Sequence, residues 1–440
     1  MSTMNFENYR KILRAMDPLE YGGKVMKIVG LTIESNGPAS KIGDICRVYS
    51  YRSDRYIEAE VVGFKDQRVL LMPFGKVEGI GLGSRVISTN RTFEVAVGRN
   101  LIGRVVDALG NPIDNMGPIE PERFYPAENE PPSPFERTRI KEILPMGIRA
   151  IDGLLTIGRG QRMGIFAGSG VGKSTLMGMI ARNTVADINV ITLVGERGRE
   201  VRDFLEKDLG EEGLKKSVLV VATSDQPALL RLKSAMAGTA IAEYFRDKGY
   251  NVLLLMDSLT RFAMAQREIG MAVGEPPISR GFPPSVYAIL PKLLERSGTS
   301  ARGSITGLYT VLVEGDDMNE PIADTVRGIL DGHIVLSREL AGSNHYPAID
   351  VLSSVSRIMA DIVPPEHCEN AGFVKNKLAV YREARDLINI GAYRKGSNPE
   401  IDSAISLVGK INGFLRQGTS ENMTFEDVLT KLAGIREREA

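Results

Sequence analysis

Residues 164–183 read Gly164-Ile165-Phe166-Ala167-Gly168-Ser169-Gly170-Val171-Gly172-Lys173-Ser174-Thr175-Leu176-Met177-Gly178-Met179-Ile180-Ala181-Arg182-Asn183. The apolar run Met163 to Ala167 ends in a glycine-rich turn, and helical spacing begins at Thr175, so the stretch predicts strand, loop and helix in that order. Such a loop suits the phosphates of a nucleoside triphosphate. Glycines let backbone amides curl around the phosphates and the helix N-terminus adds its dipole, while Lys173 reaches the terminal phosphates and Ser174 can ligate Mg²⁺. Ala167, Gly168, Ser169, Gly170, Val171, Gly172, Lys173, Ser174 and Thr175 are therefore the candidate nucleotide-binding residues. The first slot holds Ala167 where glycine is commoner, but it needs a small residue more than it needs glycine.

Around this loop, residues 140–364 alternate apolar runs (RMGIFA, INVITLVG, SVLVVAT, NVLLLMD, SITGLYTVLV, GHIVLS) with helical stretches. That alternation predicts a largely parallel sheet covered by helices. In such sheets ligands lie at the carboxyl ends of the strands. Asp257 closes the run Asn251 to Met256, where it is either a turn-former or the carboxylate that holds a magnesium-bound water. Glu196 follows the run Asn189 to Val194 at the same edge and could orient and deprotonate a water, although a loop glutamate is commonly just solvated. Arg197 could contact a γ-phosphate or simply form an exposed ion pair.

Upstream, Phe6, Tyr9, Ile12, Leu13 and Met16 recur at helical spacing, which predicts an amphipathic helix over residues 1–20 that packs on its own body or binds a partner. Residues 21–98 carry six short runs (KVMKIVGLTIES, DICRVYS, YIEAEVVGF, QRVLLMPF, SRVIST, FEVAVG) and predict a small β-barrel. Seven prolines between Asn111 and Arg137 make 99–139 a connection. Beyond Pro364 and Pro365 the amphipathic stretches VKNKLAVYREARDLINIGAY and IDSAISLVGKINGFLRQ predict a helical C-terminal domain, 365–440. The fold class is thus multidomain α/β.

The 440 residues hold 55 basic and 55 acidic side chains, so overall charge does not drive the chain onto nucleic acid or an anionic membrane. Two cysteines, Cys46 in a strand-like and Cys368 in a loop-like stretch, give no disulfide framework or thiolate cluster, and a reducing cytoplasm fits. His333, His345 and His367 are scattered and read as surface or packing residues. No run is long enough to span a membrane, and the first 18 residues do not read as a secretory signal.

GIFAGSGVGKSTLMGMIARN together with LVGERGREVRDF, LLLMDSLTRFAMAQREIG, GEPPISRGFPPSVYAILPKLLERSG, EGDDMNEPIADTVRGILDGHIVLSREL and HYPAIDVLSSVSR resembles the ATPases of flagellar and type III protein export, relatives of the catalytic β subunit of rotary ATP synthases. The resemblance runs from about Tyr21 nearly to the end of the chain. It implies a RecA-like centre, ATP with Mg²⁺ as substrate, Glu196 as the group that activates water, and Arg197 as a phosphate-binding arginine. Arg357 matches the arginine finger inserted into a neighbour's nucleotide, and Tyr346 the aromatic residue packed on adenine, though a core tyrosine would also suit that position. It further implies a homohexamer at the cytoplasmic face of a membrane export gate. There the ring would release chaperones and feed unfolded substrates. A stator-like regulator would sit on the N-terminal helix, and a coiled-coil stalk would sit in the pore faced by Gly274 to Pro284.

TRFAMAQREIG, SRGFPPSVYAILPKLLERSG and SITGLYTVLV look more like the flagellar than the virulence-injectisome version. The injectisome ATPase is the first alternative. A hexameric RNA or DNA translocase has the same layout, but zero net charge and no evident aromatic-plus-basic strip in the first domain speak against a nucleic-acid partner. A noncatalytic ring subunit would typically lack the carboxylate at Glu196.

Overall fold

The computed structural model describes residues 22–51, 53–313, 315 and 317–436. The amphipathic helix expected over 1–20 lies outside the described residues. Two compact units emerge, one holding the chain up to Phe93 with Glu268–Pro276, the other Glu94–Arg267 with Pro277 onward.

The first unit is a closed antiparallel barrel of β1 (Gly22–Val29), β2 (Thr32–Ser35), β3 (Asp44–Tyr49), β4 (Tyr56–Lys65), β5 (Arg68–Pro73) and β6 (Arg85–Thr92), in the order β1-β2-β5-β4-β3-β6. Period-two alternation sends Cys46 and Val48, Ala59 and Val61, Val69 and Leu71 to one interior. The strand membership differs from the sequence expectation. The first run breaks at Gly30 (φ 56°) into β1 and β2, and the sixth run leaves the barrel. That run is β7 (Glu94–Val97), which pairs antiparallel with β9 (Arg123–Pro126).

The proline-rich stretch, expected to be a plain connection, therefore supplies a strand. Proline is tolerated there because a two-stranded ribbon has free edges, and Pro126 ends its strand. Within the same connection β8 (Val105–Asp107) adds an edge to the central sheet.

That sheet takes the order β17-β16-β10-β15-β13-β11-β12-β8, built from β10 (Arg162–Ala167), β11 (Ile188–Glu196), β12 (Ser217–Thr223), β13 (Asn251–Asp257), β15 (Ser304–Leu312), β16 (Gly332–Leu336) and β17 (Val355–Ser356), with β14 (Gly298–Thr299) paired off the path to β15. All of its pairs are parallel except β14 with β15 and β16 with β17. Burial on both faces explains why its strands read as unbroken apolar runs. The long helices are α1 (Lys173–Asn183), α2 (Ala228–Asp247), α3 (Leu259–Val273), α4 (Pro284–Glu295), α5 (Pro365–Asn389), α6 (Pro399–Leu415) and α7 (Phe425–Arg436).

Helix α5 starts on Pro365, whose fixed φ and missing N–H suit a first helical turn. Cys368 consequently lies in a helix and not in a loop. Pro399 starts α6 in the same way, and Asn398 Oδ1 caps it by accepting from Glu400 N at 2.9 Å. The apolar faces of α5, α6 and α7 share a core with the sheet unit, where Val374, Phe414 and Val428 join Ile151 and Leu154. His345 and His367 are packing residues, and His367 Nε2 lies 2.8 Å from the carbonyl oxygen of Gly153.

Candidate nucleotide-hydrolysis site

Strands β10, β15, β13 and β11 are consecutive neighbours, so their carboxyl ends deliver the phosphate loop, Thr310, Asp257 and Glu196 to one edge. Gly170 (φ 78°) and Gly172 (φ 88°) hold the left-handed conformations that turn the strand into α1. Ala167 is buried at the end of β10, level with Leu312 and Leu336 on its two neighbours, and the small side chain fits without distortion. Lys173 and Ser174 open α1, and Ser174 is exposed there.

Asp257 is 3% exposed. Its Oδ1 accepts hydrogen bonds from Lys173 Nζ and, at 2.7 Å, from Thr310 Oγ1. Lys173 of the glycine-rich loop is thus paired with the buried carboxylate. Thr310 was not foreseen from sequence, where it is one of several hydroxyl residues, with Ser304, Thr306 and Tyr309, in the run SITGLYTVLV.

Glu196 is also buried, at 7% exposure. Gly195 (φ 69°) makes a bulge in β11 that brings Glu196 level with Thr223 and turns its carboxyl back into the site. Arg261 Nε donates to Glu196 Oε1 at 3.2 Å, and Lys173 Nζ stands 3.8 Å from the same oxygen. Burial is the main cause that pushes the Glu196 carboxyl up to about 7. The nearby charge of Asp257 adds to it, as does a hydrogen bond with Glu200, against the pull of Lys173 and Arg261. Glu200 moves the other way, below the usual range, because it accepts that bond and also sits beside Arg197. Arg197 is exposed, with Nη1 donating to Glu200 Oε1 at 3.1 Å. Arg261 was missed from sequence because it reaches Glu196 across the fold, whereas Glu200 lies only four residues after Glu196 and was overlooked as one more charge in Glu196-Arg197-Gly198-Arg199-Glu200.

Tyr346 is 41% exposed, which sets aside the core-tyrosine alternative. A side chain at Gly172 would meet the Tyr346 ring at 3.4 Å, so the ring flanks the phosphate loop. Arg357 is not part of this constellation. It follows β17, whose Ser356 pairs with Gly332 on β16, and its N–H donates to Asp331 O at 3.0 Å. Asp331 binds Arg162 at the start of β10, whereas the phosphate loop leaves the end of that strand. Five residues of strand put about 17 Å between the two levels. The Arg357 side chain is exposed, with Nη2 donating to Arg327 O at 3.3 Å.

The barrel also corrects one expectation. Arg85, Tyr49, Tyr56 and Arg47 come together across β6, β3 and β4 as an aromatic-plus-basic strip that no single run of sequence displays. Arg85 lies 4.2 Å from the Tyr49 ring centroid and Arg47 4.7 Å from that of Tyr56, so the chain's own guanidinium groups occupy faces on which a base would stack.

A phosphate loop, a buried carboxylate pair and a lysine at one edge of a parallel sheet define a P-loop nucleoside-triphosphate hydrolase. Residues 147–356 match the nucleotide-binding domain and 25–90 the β-barrel domain of the ATP synthase alpha/beta family, while 363–434 match the C-terminal domain of the type III secretion ATPase EscN. The flagellum-specific ATP synthase of Bacillus subtilis is 58% identical, covering 94% of both chains. The type 3 secretion system ATPase of Xanthomonas euvesicatoria is 52% identical over 94% of this chain and 93% of its own. Among solved structures, the assembled ATPase EscN from the enteropathogenic E. coli type III secretion system superposes with a TM-score of 0.89 at 47% identity, covering 94% of this chain and 99% of that one. EscN in complex with its central stalk EscO gives 0.87 at 46% identity and the same coverage. The chain belongs to the flagellum-specific ATP synthase and type III secretion ATPase family and is an ATPase of protein export.

Proposed function

We propose that this chain is the flagellar member of that family and works as a homohexamer, with catalysis completed between subunits. The observation that carries the ring is Arg357: an exposed arginine at the opposite end of the sheet from its own phosphate loop serves a site only on another copy. A central stalk in the pore follows by analogy with EscN and EscO, with Gly274 to Pro284 as the pore-facing segment. Docking at the cytoplasmic face of a membrane export gate, engagement of chaperone–substrate complexes and a regulator on the N-terminal segment complete the proposal. It is consistent with the finding that no helix among the described residues is long and apolar enough to cross a membrane. Flagellar assignment rests on the identity of 58% to a flagellar relative against 52% to an injectisome one. Deleting the gene tests it: loss of filaments with virulence secretion intact is expected, and the reverse outcome makes the chain an injectisome ATPase.

In the reaction, the glycine-rich amides of the loop and Lys173 hold the phosphates, and Lys173 leaves Asp257 for the γ-phosphate when ATP enters. Glu196 takes the proton of the attacking water, and Arg197 exchanges Glu200 for a phosphate oxygen. Arg357 from the adjacent copy stabilises charge developing on the γ-phosphoryl oxygens. Ser174 and Asp257 suit Mg²⁺: both offer hard oxygen donors, and two protein donors leave the remaining positions to water and phosphate. Bound there, the ion would neutralise charge on the β- and γ-phosphates. Excess chelator should therefore stop turnover and added Mg²⁺ restore it, and steady hydrolysis in chelator would remove Ser174 and Asp257 from that role.

The raised carboxyl of Glu196 gives a pH dependence whose sign is fixed. A base must be ionised, so kcat/KM should fall with unit slope as pH drops through about 7. Burial is the largest contribution to this value, Asp257 and Glu200 add to it, and Lys173 and Arg261 oppose it. A kcat/KM that stays flat down to pH 5 would contradict it.

A further inference from the structure

Between α6 and α7 the chain runs Arg416-Gln417-Gly418-Thr419-Ser420-Glu421-Asn422-Met423, polar and without an aromatic residue. Gln417 nevertheless is only 6% exposed. A buried amide is tolerated when its polar groups are bonded. Those of Gln417 are. Its Oε1 accepts from Arg149 N at 2.9 Å, and its Nε2 donates to Gly147 O at 2.8 Å and to Glu421 O at 3.0 Å. Its own main-chain N–H donates to Tyr346 O at 2.9 Å.

The connection is bonded to the sheet unit at several points. The turn at Gly147 is fixed by Asp152, whose carboxylate accepts from Met146 N and Gly147 N at 2.8 Å each. The loop itself is tied to the C-terminal end of α1 by Arg182, which donates to Thr419 O at 2.7 Å. Arg149 adds a bond to Arg416 O and an ion pair to Glu421 at 3.1 Å. The peptide that carries Tyr346 thus hangs from a segment continuous with α6 and α7, while the Tyr346 ring rests against Gly172 of the phosphate loop.

We infer that Gln417 is a positioning residue of the nucleotide site: its side-chain bonds to Gly147, Arg149 and Glu421 pin its own main chain, whose N–H holds the Tyr346 carbonyl, and so set the height of the ring over the phosphate loop and with it the affinity for the purine base. The inference rests on the reading of Tyr346 as the base-contacting residue. It also makes base contact a function of where the C-terminal helices stand, so that the helices and the purine are linked through one glutamine.

The test compares ATP with inorganic tripolyphosphate, which fills the phosphate loop and has no base. In the full-length protein, Gln417→Ala should raise KM for ATP about tenfold, in line with the loss of one base–aromatic stack. It should leave kcat and the inhibition constant of tripolyphosphate within about twofold. Gln417→Met keeps most of the side-chain volume, makes none of its hydrogen bonds and should match Gln417→Ala, which keeps the test usable if the alanine variant folds poorly. In a Tyr346→Ala background, Gln417→Ala should add nothing. Equal weakening of ATP and tripolyphosphate, or full additivity with Tyr346→Ala, overturns the inference and leaves Gln417 a structural staple. An unchanged KM for Tyr346→Ala alone would instead remove the base-site reading and this inference with it.

Discussion

Glu196→Gln should lower kcat roughly a thousandfold while ATP affinity stays within about threefold, in the range expected for losing a general base. The amide retains the size of the carboxyl and can still accept from Arg261, so the buried pocket remains filled and the phosphate loop keeps its shape. It cannot take a proton. The variant should also be at least as stable as the parent at pH 8. Because the folded-state pKa of Glu196 lies near 7, above the ordinary carboxylate value, stability linked to this group is present at low pH and is lost as pH rises through 7, where the buried carboxyl must ionise. Glutamine has no such ionisation. The measurements are steady-state turnover at saturating ATP, fluorescent-nucleotide binding, and thermal unfolding at pH 6 and pH 8. Turnover within tenfold of the parent would take the base's role away from Glu196.

What sequence reveals about this site follows from how each residue is delivered. The phosphate loop, Asp257 and Glu196 end strands, and strand ends in a parallel sheet converge by construction, so their position along the chain carried the information. Gly195 shows the limit: one extra residue in β11 redirects Glu196, and nothing in Val194-Gly195-Glu196 marks a bulge except the glycine. Thr310 and Arg261 act across strands and helices, where linear spacing has no meaning, while Glu200 is a near neighbour of Glu196 along the chain. The barrel repeats the lesson. Alternation located its core, yet pairing moved Glu94–Val97 out of it and assembled the Arg85, Tyr49, Tyr56 and Arg47 strip from three strands. Gln417 was invisible for a further reason. A glutamine in a polar loop looks solvated until hydrogen bonds to Gly147, Arg149 and Tyr346 in two distant segments, and to Glu421 in its own loop, surround it.

Arg357 tests the architecture and not only the chemistry. Its side chain is exposed, and its own site lies at the far end of the sheet, so Arg357→Ala should leave nucleotide affinity of the isolated subunit unchanged and lower kcat about a thousandfold, the lower range for an arginine finger. The stronger prediction concerns mixtures. A subunit with Arg357→Ala still has Glu196, and a subunit with Glu196→Gln still has Arg357. Where the first provides the nucleotide site and the second the finger, the interface between them is complete. Random assembly of equal amounts makes roughly a quarter of interfaces intact, so two inactive preparations should regain a substantial fraction of parental activity on mixing. Specific activity of the parent should also rise with protein concentration to a plateau as subunits associate. Complementation on mixing cannot arise if each subunit supplies its own arginine, because every chain in the mixture carries one defect. Absence of recovery, together with full activity of the parent at dilutions where it is monomeric, would place the finger within the subunit and remove the ring from the mechanism.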